Sequence, residues 1–244
     1  MTTVLKLGGS VITEKDSPET LDDDALSAVA DDVAGADVSD LVVVHGGGSF
    51  GHHNAAAHGV TTENGSHETT AVADIHGAMK TLNESVLAHL RDRGVPAVPV
   101  HPLSAARRDA EGALTLFTEQ VAAMLDEGFV PVLHGDLVVH DGEGVTVVSG
   151  DELVVDLADT LDADRVGLCS TVPGVLDEDG AVVARIESYE DVADALGGSD
   201  ATDVTGGMAA KVRELLALSA PANVFDADGV GPFLAGESPG TRID

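Results

Sequence analysis

Val42-Val43-Val44-His45-Gly46-Gly47-Gly48-Ser49-Phe50-Gly51-His52 runs an apolar, β-branched strand straight into three consecutive glycines and a Phe-Gly-His corner. Three glycines in a row are costly in conformational entropy and build no core, so something must need the bare backbone there. The stretch lacks the lysine that, followed by a hydroxyl, closes a P-loop, and it lacks the spacing of the dinucleotide fingerprint. A different phosphate cradle is implied. Lys6-Leu7-Gly8-Gly9-Ser10 repeats the theme, carrying a strand with its own lysine into two glycines and a hydroxyl. Nests of amides of this kind suit phosphate oxygens. Thr205-Gly206-Gly207-Met208-Ala209-Ala210-Lys211 opens a helix with glycines and sets a lysine one turn in, where amides and dipole favour an anion.

Outward from these loops, short aliphatic runs alternate with segments of helical period, the pattern of parallel strands joined by crossover helices. Strands are expected at Thr3–Leu7, Leu41–His45, Ala97–Pro99, Val130–His134, Arg165–Leu168 and Ala222–Val224. Helices are expected at Asp23–Ala34, Asp74–Arg91, Thr118–Asp126, Glu152–Leu161 and Gly207–Ser219. Within Asp74–Arg91, the residues Ile75, Met79, Leu82, Val86 and Leu90 form one apolar stripe. An antiparallel hairpin joins Leu137–His140 to Val145–Val148 across Asp141-Gly142. The class is α/β, a three-layer αβα sandwich with a largely parallel central sheet. No linker or composition shift divides the 244 residues, so 1–244 is read as a single domain.

The formal charge is −31, from 43 acidic and 12 basic residues scattered along the chain. An apolar fraction of 43% argues against disorder as the reason for that charge. A folded chain this acidic fits concentrated salt, where at about 1 M the Debye length is roughly 3 Å. The same charge argues against nucleic acid and anionic membrane as partners. One cysteine, Cys169, allows no internal disulfide, and no cysteine cluster is present to hold zinc. No run approaches the ~20 apolar residues of a membrane span, and the start reads directly into a strand, so a cytoplasmic location is expected.

Lysine is rare: Lys6, Lys15, Lys80 and Lys211 are the whole set. Two of the four lie in glycine-rich loops and Lys15 follows the first loop, which points to function for these three; Lys80 is read as a surface residue. His134-Gly135-Asp136 ends a strand at a glycine, where ligands gather in open α/β sheets, and Ser149-Gly150-Asp151-Glu152 starts a helix. Asp136 and Asp151 could orient lysines or approach magnesium, although helix capping explains Asp151 almost as well. His53, His58, His67 and His76 form no metal constellation and are read as solvated or structural.

In this order, the Lys6–Ser10 loop, the His45–His52 segment, Gly135-Asp136, Ser149–Asp151 and the Gly206–Lys211 helix start resemble the amino acid kinase family nearly end to end. Phe50-Gly51-His52 is similar to its isopentenyl phosphate branch and to a fosfomycin kinase cousin; carboxylate kinases share the triple glycine and typically lack this histidine. The resemblance implies ATP and Mg²⁺ as cofactors, a homodimer, and transfer of a phosphoryl group from ATP to isopentenyl phosphate. It implies that Lys6, Gly8, Gly9, Ser10, Gly48, Gly206, Gly207 and Lys211 hold the nucleotide's phosphates. It places the acceptor at Gly47, Gly48, His52, Gly135 and Asp136, with Lys15 bridging to the transferred group and Asp151 organising the lysines. The N-terminal part would then bind acceptor and the C-terminal part nucleotide. Two other readings stay open: a small-phosphonate kinase, and a nucleotide-binding regulator without turnover. Ser170-Thr171-Val172-Pro173-Gly174-Val175 departs from the family's Thr-Asp-Val-Asp-Gly-Val, so contacts to the nucleotide base are not carried over.

Overall fold

Strands buried on both faces need helices on each side, and apolar residues alternate between two separate cores along them. The computed structural model describes residues 1–197 and 207–244. Among these, the strands are β1 (Thr2–Leu7), β2 (Asp40–His45), β3 (Ala97–Pro99), β4 (Ala106–Arg108), β5 (Leu114–Leu116), β6 (Val130–His134), β7 (Asp136–His140), β8 (Gly144–Val148), β9 (Arg165–Cys169), β10 (Arg185–Ile186), β11 (Ala222–Phe225) and β12 (Thr241–Ile243). The helices are α1 (Gly9–Ile12), α2 (Asp23–Gly35), α3 (Gly48–His58), α4 (Thr69–Asp92), α5 (Pro102–Ala105), α6 (Thr118–Asp126), α7 (Gly150–Thr160), α8 (Ala193–Gly197), α9 (Gly207–Leu216) and α10 (Val230–Leu234).

Eight strands form the central sheet in the order β10-β12-β11-β9-β1-β2-β6-β3, parallel throughout except where β11 meets β12. Leu5, Leu7, Val43 and Val132 face a core completed by α2, α4 and α10. Val4, Val42, Val44, Leu133 and Val166 face the other side, filled by Val121 of α6, Leu153 and Leu157 of α7, and Val212 and Leu215 of α9. This is the expected sandwich. A second sheet, ordered β5-β4-β7-β8, stands beside it.

The six expected core strands are found within one residue at each end, and the β7–β8 hairpin is antiparallel as expected. Asp22 caps α2 by accepting the Ala25 amide at 3.0 Å. Differences have physical causes. Helix α7 starts at Gly150 because Ser149 and Glu152 close a reciprocal capping box in front of it. Helix α3 was not expected, since its Gly-rich start and its lack of an apolar stripe hide the helical period; it ends at Gly59 with φ 65°. The β4–β5 pair was also missed, because three-residue strands give too little alternation to read.

Three neighbouring parallel strands end level with one another, Leu7 opposite His45 and His45 opposite His134. Each is followed by glycine: Gly8, Gly46 and Gly135. The carboxyl ends of parallel strands are where open α/β sheets bind ligands.

Candidate active site

The glycines pack backbone against backbone. The Gly8 amide donates to the Cys169 carbonyl at 2.8 Å, Gly46 to Leu7 at 2.9 Å and Gly135 to His45 at 2.9 Å. A Cβ on Gly9 would overlap the Gly48 amide nitrogen, and one on Gly46 would lie 2.6 Å from the Gly9 nitrogen. Gly135 faces the same space, since its Cβ position is 3.7 Å from the Gly47 nitrogen and 3.6 Å from that of Gly150. The first two loops are therefore one cradle, reached by the third. Thr13, which the sequence reading passed over, stitches it: its hydroxyl donates to the Gly9 carbonyl at 2.8 Å and accepts the Ser49 amide at 3.0 Å. Gly48 has φ 49°, a left-handed value that suits glycine.

Lys6 and Asp151 meet under this cradle. Lys6 points to the α7 side of β1, and its Nζ donates to Asp151 Oδ1 at 2.7 Å. Gly150 leaves room for it, because a Cβ there would sit 3.2 Å from Lys6 Cε. Burial lowers the Lys6 pKa, and the Asp151 carboxylate opposes that loss of charge. Burial likewise opposes ionisation of Asp151, yet the ammonium of Lys6, and then of Lys211, holds its carboxyl below the usual range. Lys211, one turn into α9, thus acts on both members of the pair. Glu214, one turn further, was not anticipated; burial and then the Asp151 charge push its carboxyl up. Gly207 opens α9 with φ 67°, and Gly206 lies outside the described residues. Ser10 is exposed at the first turn of α1.

His52 is exposed on α3, one turn past Gly48. Lys15 is exposed on a loop closed by the Thr13–Leu21 bridge and tied to α3 through the Thr20 amide and Ser49 Oγ at 3.3 Å. The structure thus carries Lys15 and His52 on two segments that are stitched together beside the cradle. The Asp136 carboxylate is fully buried and receives the His76 Nδ1–H at 2.8 and 3.0 Å. His76 is accordingly structural and not solvated. His58 pairs with Asp74 at 2.9 Å, and Lys80 is exposed on α4. Met79, read as part of an apolar stripe, supports the loop directly, its sulfur 2.9 Å from a Cβ position on Gly51 and 3.5 Å from one on Gly47.

One buried ammonium group, Lys6, and one half-buried, Lys211, beside three glycine turns and the N-termini of α3, α7 and α9 make a site for polyanions. Among the described residues, no group of three or more His, Cys, Asp or Glu side chains is arranged to hold a metal ion.

Comparison with known proteins agrees with this chemistry. The family model described as "Amino acid kinase family" matches residues 1–223. The chain is 65% identical over 241 residues to the isopentenyl phosphate kinase of Haloferax volcanii, covering 98% of this chain and 97% of that one. It is 36% identical over 230 residues to the isopentenyl phosphate kinase of Methanothermobacter thermautotrophicus, covering 88% and 86%. An isopentenyl phosphate kinase crystal structure superposes with a TM-score of 0.86 at 31% identity, covering both chains completely.

Proposed function

The chain belongs to the amino acid kinase family, and from that premise we propose which of its residues hold each partner in the transfer of a phosphoryl group from ATP to isopentenyl phosphate. It is a small-molecule kinase that phosphorylates isopentenyl phosphate. The 65% identity to an isopentenyl phosphate kinase over nearly the whole chain carries this reading, and the Lys6–Asp151 pair beneath a cradle of abutting glycines supports it.

A phosphate monoester has a second pKa near 6, so at neutral pH its oxygen is already an anion and needs no general base. That oxygen forms the new bond to the γ-phosphorus of ATP while the bond to the β–γ bridging oxygen breaks, and ADP leaves with the electron pair. The protein's task is to bring two polyanions into line and offset their repulsion. In this reading Lys6, Gly8, Gly9, Ser10, Gly48, Gly206, Gly207 and Lys211 hold the nucleotide's phosphates, with Asp151 orienting Lys6. Gly47, Gly48, His52 and Gly135 hold the acceptor, and Lys15 reaches the transferred group from its loop. Asp136 contributes through the turn that it terminates, since its carboxylate is spent on His76. The N-terminal part is then the acceptor side and the C-terminal part the nucleotide side.

Mg²⁺ would lower the charge of the triphosphate when bound. The described side chains do not fit a protein-built cage for it, and we assign it no protein ligand. This matches an ion that keeps its waters and travels on phosphates. No described helix is long and apolar enough to cross a membrane. We further read the enzyme as a cytoplasmic, salt-adapted homodimer, with the charge of −31 as the support for salt adaptation. A coupled ADP-release assay in molar KCl, over isopentenyl phosphate, dimethylallyl phosphate, fosfomycin, UMP and acetylglutamate, tests the reading. Preference for another acceptor by tenfold or more overturns the substrate, and ATP binding without turnover of any acceptor overturns the activity.

A further inference from the structure

Two strand ends repeat one device. His45-Gly46 closes β2 and His134-Gly135 closes β6, and the two histidines are register partners in adjacent parallel strands. Each ring approaches the carbonyl of the glycine that follows it, His45 Nδ1 to Gly46 O at 3.1 Å and His134 Nδ1 to Gly135 O at 2.9 Å. A carbonyl only accepts, so Nδ1 carries the proton in both rings. In a neutral imidazole Nε2 is then an acceptor. His134 Nε2 receives the His101 Nδ1–H at 2.9 Å. His45 Nε2 lies 3.1 Å from the Asn83 side-chain amide, assigned with oxygen toward the ring, which leaves Asn83 Nδ2 buried without a partner. Turning that amide over gives Nδ2 the ring nitrogen as acceptor, the pairing that the Nδ1–H tautomer requires.

The rings stack, with centroids 5.4 Å apart and planes 25° from parallel, and both residues are fully buried. Burial, and for His134 the neighbouring His45, lowers both pKa values, which keeps the rings neutral and the tautomers fixed. An aliphatic side chain would fill this place without the desolvation cost of an imidazole. Something other than packing therefore selects a δ-donor at both positions.

A trans peptide points its carbonyl and its following amide in opposite directions. Holding the Gly46 carbonyl against His45 turns the Gly47 N–H away from the ring, and the Gly47 nitrogen lies 3.7 Å from a Cβ position on Gly135. Gly135 is held at both ends, its N–H on the His45 carbonyl and its C=O on His134. We propose that His45 and His134 are positioning residues of the acceptor subsite, each using its Nδ1–H to lock the peptide plane of a cradle glycine that faces the acceptor phosphate. The inference rests on the placement of that subsite at Gly47 and Gly135 in the proposed function.

Asparagine carries a donor where imidazole has Nδ1; glutamine places its donor near Nε2, and leucine has none. The experiment makes Asn, Gln and Leu variants at His45 and His134 and measures melting temperature, KM for ATP and for isopentenyl phosphate, and Kd for isopentenyl phosphate by calorimetry. Leucine and glutamine are expected to raise the acceptor KM and Kd about tenfold with ATP KM within about twofold, whereas asparagine keeps the acceptor values within about threefold even where it melts lower. Should leucine prevent folding, asparagine against glutamine makes the same comparison. Acceptor values that follow melting temperature regardless of the δ-donor, or that stay unchanged in all variants, or that rise together with the ATP KM, overturn the proposal. Wild type that binds isopentenyl phosphate without turning it over defeats the activity reading alone, and wild type that does not bind it defeats both.

Discussion

Lys6 Nζ donates a 2.7 Å hydrogen bond to Asp151 Oδ1 across 145 residues of chain, tying the strand beneath the first glycine loop to the first turn of α7. Burial depresses the Lys6 pKa and the Asp151 carboxylate is the largest influence restoring it. Replacing that carboxylate by a neutral amide removes the restoring charge, so Asp151→Asn loses the Lys6 ammonium at lower pH. The alkaline limb of kcat/KM is expected to fall below the ordinary lysine value of about 10.4 in the wild type, and to move further down in the variant. Activity at neutral pH should drop at least about tenfold. An alkaline limb in the same place for both proteins would mean that this pair does not set the charge of Lys6.

Gly9→Ala should disable the cradle. The added methyl meets the Gly48 backbone nitrogen, which cannot rotate away as a side-chain end could. A loss of at least about tenfold in kcat/KM for both substrates is expected, with a lower melting temperature. Gly77→Ala is the control, since nothing lies within 4 Å of its Cβ position on α4, and alanine is favoured over glycine inside a helix by about 1 kcal/mol. Comparable losses in the two variants would show that the close approach at Gly9 has no functional weight.

The central sheet was readable because Val42–Val44 and Val130–Leu133 are apolar runs that stop at a His-Gly pair. The cradle was readable for the same reason, as glycines without a packing role stand out. Imidazole contacts were not. His45 and His134 look like the polar ends of strands, and only the register of β2 against β6 brings the rings together. The contact of Asp136 with His76 of α4 was likewise out of reach of the sequence, since 60 residues separate the two and only the packing of β7 against α4 joins them. Thr13 lies three residues beyond the first loop and acts through a hydroxyl that could equally have faced solvent.

Acid should destabilise the fold before the carboxylates titrate. His45, His101 and His134 have pKa values lowered first of all by burial. Below the ordinary imidazole value of about 6.5 the unfolded chain binds protons that the folded chain refuses, so stability falls with pH from there toward the folded values. At His101 the neighbouring His76 and Lys80 lower the pKa further, while Asp136 and Glu84 oppose them. Thermal melts between pH 7.5 and 5 in constant salt should show a decline that His134→Asn reduces. A flat profile over that interval would show that the buried rings take up protons without opening the structure.

High salt should stabilise the enzyme and raise its activity. At −31, surface repulsion extends over about 10 Å in 0.1 M salt and over about 3 Å in 1 M. Melting temperature and acceptor kcat/KM are both expected to rise with KCl into the molar range, and sodium sulfate matched for ionic strength should do at least as well. Full activity and an unchanged melting temperature after dialysis into dilute buffer would refute the salt dependence.

In the proposed function His52 is the residue that distinguishes a phosphate acceptor from a carboxylate acceptor. It stands exposed on α3, one turn past the Gly48 that abuts Gly9, so its ring is free to meet a ligand without rebuilding the core. An N–H donor to an anionic phosphate oxygen makes a charge-assisted hydrogen bond, and deleting it leaves the anion one partner short. His52→Ala is therefore expected to lower kcat/KM for isopentenyl phosphate by about 100-fold, with ATP affinity within about twofold and the melting temperature within about 2 °C. His52→Asn and His52→Gln should recover part of the loss, because each keeps a donor. The exposure makes the alternative distinguishable: a histidine that only stabilised the α3 start would lower the melting temperature and leave the kinetics of the folded fraction intact. Measuring all three quantities on one preparation decides the matter, and near-wild-type kcat/KM in His52→Ala would remove this residue from the acceptor site.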